Sequence, residues 1–311
     1  MPIVGSFAGA SARAYGFGAA GLDVARGLFG GGFSTVSLNV IDYVTIATTG
    51  NALDFGDLTT SRSDMSSACA SSTRGIFAGG VSSNVIDYVT IATTGNATDF
   101  GDLIDANNKW KGGLSNSTRG LFAGGEPSLN NVIQFITIAT TGNGTDFGDL
   151  SANKFGVAGC ASTTRGLFGG GYLSNDTVIN VIEFVTIASA GNVTDFGDLT
   201  RNTFWSAACS SSTRGVWGGG TDAVINLNVI DYVTIASAGN ATDFGDLTVA
   251  RIQTSSCSST SRGLWGGGSS TGYLNVIDFI TIATTGNATD FGDLSASKGG
   301  LSSCSNGHGG L

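Results

Sequence analysis

The segment Val85 to Ala92 is dense in Val, Ile and Tyr, whose branched or aromatic side chains fit a pleated surface. Both of its alternating sets are largely apolar: Val85, Val89 and Ile91 on one side, Ile86 and Tyr88 on the other. A sheet with one wet face would alternate apolar and polar more cleanly, so the pattern predicts a strand buried on both faces. Three more short strands are predicted around it. The first has small residues, Ser66 to Ser71, and the second is Gly75 to Gly79. The last, Thr98 to Leu103, follows the turn-forming Thr94-Gly95-Asn96.

This four-strand unit recurs. A string Arg-Gly-apolar-aromatic-(Gly/Ala)-Gly starts at Arg26, Arg74, Arg119, Arg165, Arg214 and Arg262, at intervals of 48, 45, 46, 49 and 48 residues. Each copy runs on through Asn-Val-Ile to a strand ending Thr-Ile-Ala, and then to Asp-Phe-Gly-Asp-Leu, as at Asp54 to Leu58. Sheets of four strands with both faces buried must stack against one another. At this repeat length, the arrangement predicted is an all-β propeller of six four-stranded blades.

The repeat resembles a kelch repeat in all six copies. Gly79-Gly80 and Gly170-Gly171 match that family's double glycine, and the acidic-aromatic pair Asp87-Tyr88 follows at the matching offset. Phe55, Phe100, Phe147, Phe196, Phe244 and Phe291 stand where the family has tryptophan. The resemblance implies a six-bladed kelch-like propeller. The wording Asp-Tyr-Val-Thr-Ile-Ala-(Thr/Ser)-(Thr/Ala)-Gly-Asn-Ala-Thr-Asp-Phe-Gly-Asp-Leu also looks like repeats in structural proteins of marine bacteriophages, especially cyanophages. That second likeness implies a virion component, on a tail fibre or capsid, made in the host cytoplasm.

The ends of the chain bear on closure. The segment Leu301 to Gly309 reads as a first strand with no second strand after it. Added to the second strand Arg26 to Gly31, it would complete the N-terminal blade and remove the exposed edges. Phe17 to Ala25 competes for the same slot. With closure, residues 1–25 form a Gly- and Ala-rich arm, a candidate attachment segment for other virion proteins, and 26–311 the propeller.

Up-and-down strands put the 1–2 and 3–4 turns on one face and the 2–3 and 4–1 connections on the other. The first pair is nearly constant between copies, whereas divergence falls in the second. Loops on a rigid scaffold commonly carry recognition, so the varied face is the candidate binding surface. Its unrepeated residues are Trp110 with Lys109 and Lys111, Trp205 with Arg201, Phe155, Tyr172 and Tyr273. Such aromatics stack on sugar rings or anchor a protein partner; alternatively they pack beneath their own loops. A host-surface polysaccharide is the partner this surface suggests.

Composition narrows the chemistry. The 311 residues include 50 Gly, 14 basic and 23 acidic side chains, giving a net charge of −9. An acidic, Lys-poor chain fits a phosphate backbone poorly, so no nucleic-acid partner is expected. No run of eighteen apolar residues suggests membrane insertion, and Met1 to Ala25 lacks a signal-peptide pattern. The single histidine, His308, leaves little room for histidine-based catalysis.

Five cysteines (Cys69, Cys160, Cys209, Cys257, Cys304) share one repeat position, where the remaining copy has Leu114. With no CxxC or histidine pair beside them, they read as apolar core residues rather than a metal shell. Each repeat arginine recurs with a third-strand acid, such as Arg74 with Asp87, or with Gln134 in one copy. Fork geometry suits arginine to carboxylates or to turn carbonyls, which leaves its partner open. Asn51, Asp54 and Asp57 offer oxygens to calcium, but such residues also serve turns. The acids outside the repeat (Asp23, Asp64, Asp105, Glu126, Asp176, Asp222) are scattered, which disfavours a carbohydrate-active enzyme with two facing carboxylates. The reading is therefore non-enzymatic, without cofactor or metal. A purely structural capsid-decoration protein is the alternative.

Overall fold

The computed structural model describes residues 25–64, 67–105, 109–126 and 130–311. Strands Ser67–Ala70, Arg74–Ala78, Val85–Thr90 and Thr98–Asp102 form one antiparallel four-stranded sheet, paired in chain order. Four further sheets repeat it. The remaining sheet joins the two ends of the described chain. Ser302–Ser305 pairs with Arg26–Gly30, Leu28 opposite Cys304, followed by Leu38–Thr45 and Leu53–Arg62. Each inner strand packs against the inner strands of two neighbours, and Ser302–Ser305 touches both Ser255–Ser258 and Ser67–Ala70. The cycle is closed: the fold is a six-bladed β-propeller. We number blades one to six by their arginines, Arg26 to Arg262.

The slot in blade one is thus filled by the C-terminal strand. Residues 1–24, which hold most of the expected arm and the competing segment from Phe17, lie outside the described residues. Among the described residues no helix is long and apolar enough to cross a membrane.

The repeated words are contacts between blades. In the outer strand, Ile86 faces Gly101 while Asp87 faces Asp99, so Phe100 is an extra, bulged residue. The bulge turns Phe100 into the space between blades two and three, where it packs with Phe122 and Ile136. Gly101, at φ +145°, lets the next blade's turn approach: a Cβ there would lie 2.5 Å from Gly142 O. Gly142 N–H then donates to Phe100 O at 2.8 Å, and Asn143 Oδ1 accepts from Asp102 N–H at 3.0 Å. The same belt closes the ring, where Asn51 Oδ1 accepts from Asp293 N–H at 3.1 Å.

Nearer the axis, each inner-strand cysteine lies on the Arg-Gly glycine of the following blade. A methyl at Gly215 would sit 2.8 Å from Cys160 Sγ, and one at Gly263 2.7 Å from Cys209 Sγ. All five thiols are free and buried, and burial pushes Cys304 up to about 12. They are neutral packing groups.

The arginines answer the question left open by the sequence. Arg74 Nη1 donates to Ile138 O and Ala139 O of the next blade at 3.0 and 2.9 Å, with its guanidinium 4.7 Å from the Tyr88 ring centroid. The set closes with Arg262 donating to Ile46 O at 3.1 Å. The third-strand acids have different partners, supplied by the connection from the preceding blade: Arg62 for Asp87, Lys154 for Glu183 at 2.6 Å, Arg251 for Asp278 at 2.8 Å and Lys298 for Asp42 at 3.0 Å.

Candidate functional site at the axial mouth

The six inner strands line an axial channel, and small residues there let them crowd the axis. Ser115 Oγ donates to Ala70 O at 2.8 Å, Ser210 Oγ to Ala161 O at 2.7 Å and Ser258 Oγ to Ser210 O at 2.8 Å, stitching blade to blade. The end on the uniform face is stopped by the tail after Ser305. Gly309 N–H donates to Ser210 O at 3.0 Å, and a Cβ at Gly309 would collide with Ser211 O. His308 Nε2 lies 2.9 Å from Ala70 O, and its Nδ1 accepts from Gly310 N–H at 3.1 Å. These contacts fix the neutral Nε2–H tautomer, and burial lowers the imidazole pKa.

The other end is open. Just before each inner strand stands a residue in the left-handed region: Asp64, Trp110, Gly156, Trp205, Gln253 and Gly300, with φ between 46° and 68°. Backbone hydrogen bonds link five of them in turn, from Trp110 to Gly300. Gly156 N–H donates to Trp110 O at 2.9 Å, Trp205 N–H to Gly156 O at 3.0 Å, Gln253 N–H to Trp205 O at 3.1 Å and Gly300 N–H to Gln253 O at 3.0 Å. This collar rims a pocket of about 620 Å³, its open mouth included, on the varied face.

Aromatic rings fill one sector of the rim. Trp110 and Trp205, from blades three and five, meet at 4.8 Å across Gly156, where a Cβ would come within 3.2 Å of Trp205 Cδ1. Phe155 lies near-parallel to Trp110 at 5.6 Å and contacts Tyr172 at 5.2 Å. Phe204 joins Tyr172 at 5.0 Å and Trp205 at 4.5 Å. A two-residue ladder, Lys154–Phe155 with Tyr172–Leu173, holds the cluster's centre. Phe155 and Phe204 are buried and form the floor, while the two tryptophans and Tyr172 are partly exposed. Lys109 Nζ sits 4.1 Å from the Trp110 ring centroid and 3.6 Å from Glu126 Oε2. At the edge of the same sector burial pushes the Asp64 carboxyl up, against the pull of Lys109 and Trp110.

The structure therefore brings together five of the residues picked out from the sequence: Trp110, Trp205, Phe155, Tyr172 and Lys109. Three others stand apart. Lys111 is buried, its Nζ donating to Gly124 O, with its pKa lowered to about 8 by desolvation. Arg201 is exposed and faces Asp231 and Asp222 rather than the tryptophans. Tyr273 packs edge-on against Phe33 at 5.8 Å. Sequence reasoning missed Asp64, Phe204, Gln253 and the His308 plug. A signal was present for the collar, since Trp110, Gly156, Trp205, Gln253 and Gly300 each stand four residues before the Cys/Leu114 position.

Among the described residues no group of three or more His, Cys, Asp or Glu side chains gathers as for a metal ion. Compared with known proteins, the chain matches no family model and no curated protein sequence.

Proposed function

We propose that this protein is a non-enzymatic recognition module, a rigid disc that binds a saccharide of a host surface, or another virion protein, at its axial mouth. The observation that carries the reading is the aromatic sector at the open end of a channel stopped at the other. Flat indole and phenol faces stack on the apolar face of a sugar ring, and Asp64, Gln253 and Ser206 supply hydrogen-bonding groups beside them. Because the collar is fixed by backbone hydrogen bonds from blade to blade, binding orders little backbone. The setting on a phage tail fibre or capsid, attached through residues 1–25, is proposed on the likeness of the repeat wording alone.

The test is titration of the purified protein with host-surface polysaccharide, alongside the Trp110→Ala/Trp205→Ala double variant. Saturable binding by the parent and loss of at least tenfold in affinity by the variant is the expected result. Unaltered binding, or none by either protein, moves the assignment to a decoration protein. Imaging of labelled particles tests the virion setting separately.

A second reading, a carbohydrate-active enzyme, draws on Asp64 and Glu126, which flank Lys109 with the Asp64 carboxyl raised by burial. New reducing ends after incubation with the polysaccharide would establish it.

A further inference from the structure

Five blades carry a buried acid on the third strand, and four of these acids have a buried cation, Arg62, Lys154, Arg251 or Lys298. In blade three both partners are replaced: the acid is Gln134, whose Oε1 accepts from Ile104 N–H at 2.8 Å, and Lys111 turns to Gly124 O. Blade five is different. It keeps the carboxylate, Asp231, 6% exposed, but six residues before Cys209 it has Thr203. Lys154, Arg251 and Lys298 occupy that position before Cys160, Cys257 and Cys304.

The surroundings retain the shape of a cation's seat. In blade six, Arg251 Nη2 donates to Asp278 Oδ2 at 2.8 Å and to Trp265 O at 3.2 Å, and Nη1 to Val276 O at 3.3 Å. In blade two, Arg62 also reaches Gly79 O at 3.2 Å. The counterparts in blade five, Trp217, Val229, Gly219 and Asp231, line a small pocket of about 250 Å³, its opening to solvent included, with Arg201 at its side and Thr203 Oγ1 donating to Gly219 O at 3.4 Å. The carboxylate is held as in its counterparts: Thr200 Oγ1 donates to Oδ1 at 2.7 Å and Thr200 N–H to Oδ2 at 2.9 Å. Thr248 does the same for Asp278, at 2.6 and 3.1 Å, and there Arg251 is the third donor.

We propose that this pocket is a binding site for a small cation bearing N–H donors, an ammonium or guanidinium group, held by Asp231 and the surrounding carbonyls. Burial pushes the Asp231 carboxyl up, with Asp243 adding to the rise and Thr200 and Arg201 opposing it, as suits an acid whose buried counterpart arrives from outside. The site is a different pocket from the axial mouth, with Ser206 on the lining of both.

Thermal unfolding of the full chain in methylguanidinium, ammonium, sodium and tetramethylammonium chlorides at equal ionic strength tests it. A saturable rise in Tm of about 2 °C at ten times Kd is expected for methylguanidinium, ammonium or both, and none for the other two salts. Which of the two acts identifies the ligand group. Asp231→Asn, with a neutral amide as blade three already has, should abolish the response. Thr203→Arg should raise Tm without added cation and no longer respond. Equal responses to all four salts, a response surviving Asp231→Asn, or a response appearing only in Arg201→Ala, which would make Arg201 the occupant, would overturn the site.

Discussion

The two ends of the axial channel are built from the same six strands and behave oppositely. On the uniform face and around the perimeter, repeated side chains are consumed on neighbours, Arg74 on the carbonyls at Ile138 and Ala139 and Asn143 on the amide of Asp102, and the single His308 is consumed on Ala70. On the varied face the repetition is in the backbone alone. Six left-handed residues hold the collar, and their side chains differ from blade to blade. Identity between copies therefore marks assembly, and departures at a fixed backbone position mark the surface left for something else.

The contrast can be broken in graded ways. Deleting residues 301–311 removes both the closing strand and the plug and opens the second strand of blade one. The expected outcome is loss of the cooperative thermal transition; an unchanged Tm would refute ring closure. Next comes the perimeter against the collar. Gly292→Ala places a Cβ 2.5 Å from Gly50 O at φ +146° and should cost about 3 kcal/mol in urea unfolding. Gly300→Ala, at φ +61° where Trp, Gln and Asp stand in other blades, should cost only about 1 kcal/mol. Equal costs would remove the distinction.

Arg74→Ala, which strands two carbonyls at the seam between blades two and three, should lie between them at about 2 kcal/mol. The smallest effect concerns the plug. The folded chain holds the His308 pKa below its unfolded value near 6.5, so the contribution of the neutral ring is full above that pH. It falls as the pH drops through the lower folded value. Protonation would set a ring N–H against Gly310 N–H. Comparing Tm from pH 7.5 to 5 with that of His308→Gln isolates this part, and parallel profiles would assign the histidine no share in closure.

Much of this architecture is legible in the sequence. The double-sided apolar pattern of Val85 to Ala92, repeated six times, required stacked sheets, and the orphan strand after Leu301 pointed to closure with Arg26 to Gly31. Pairings across blades were less legible. Arg74 and Asp87 recur at a constant spacing because each answers to a different neighbour, and a fixed spacing within one copy cannot say which. Lys111 looked like a surface cation beside Trp110, but chain direction sends it inward to Gly124 O while its neighbour Lys109 stays on the tryptophan. The aromatic sector was visible as a set of unrepeated rings, but their convergence across Gly156 depends on where the collar turns.

The pairing of Leu28 with Cys304 also has a meaning for the chain as it is made. The edge at Arg26–Gly30 waits for a partner roughly 275 positions downstream, some 15 to 55 s at about 5–20 residues per second. Throughout that interval Leu28 and Phe29 lack their final neighbour. The nascent ring stays open, and its exposed rim is kept to a strand of five residues, too short to recruit a stranger easily.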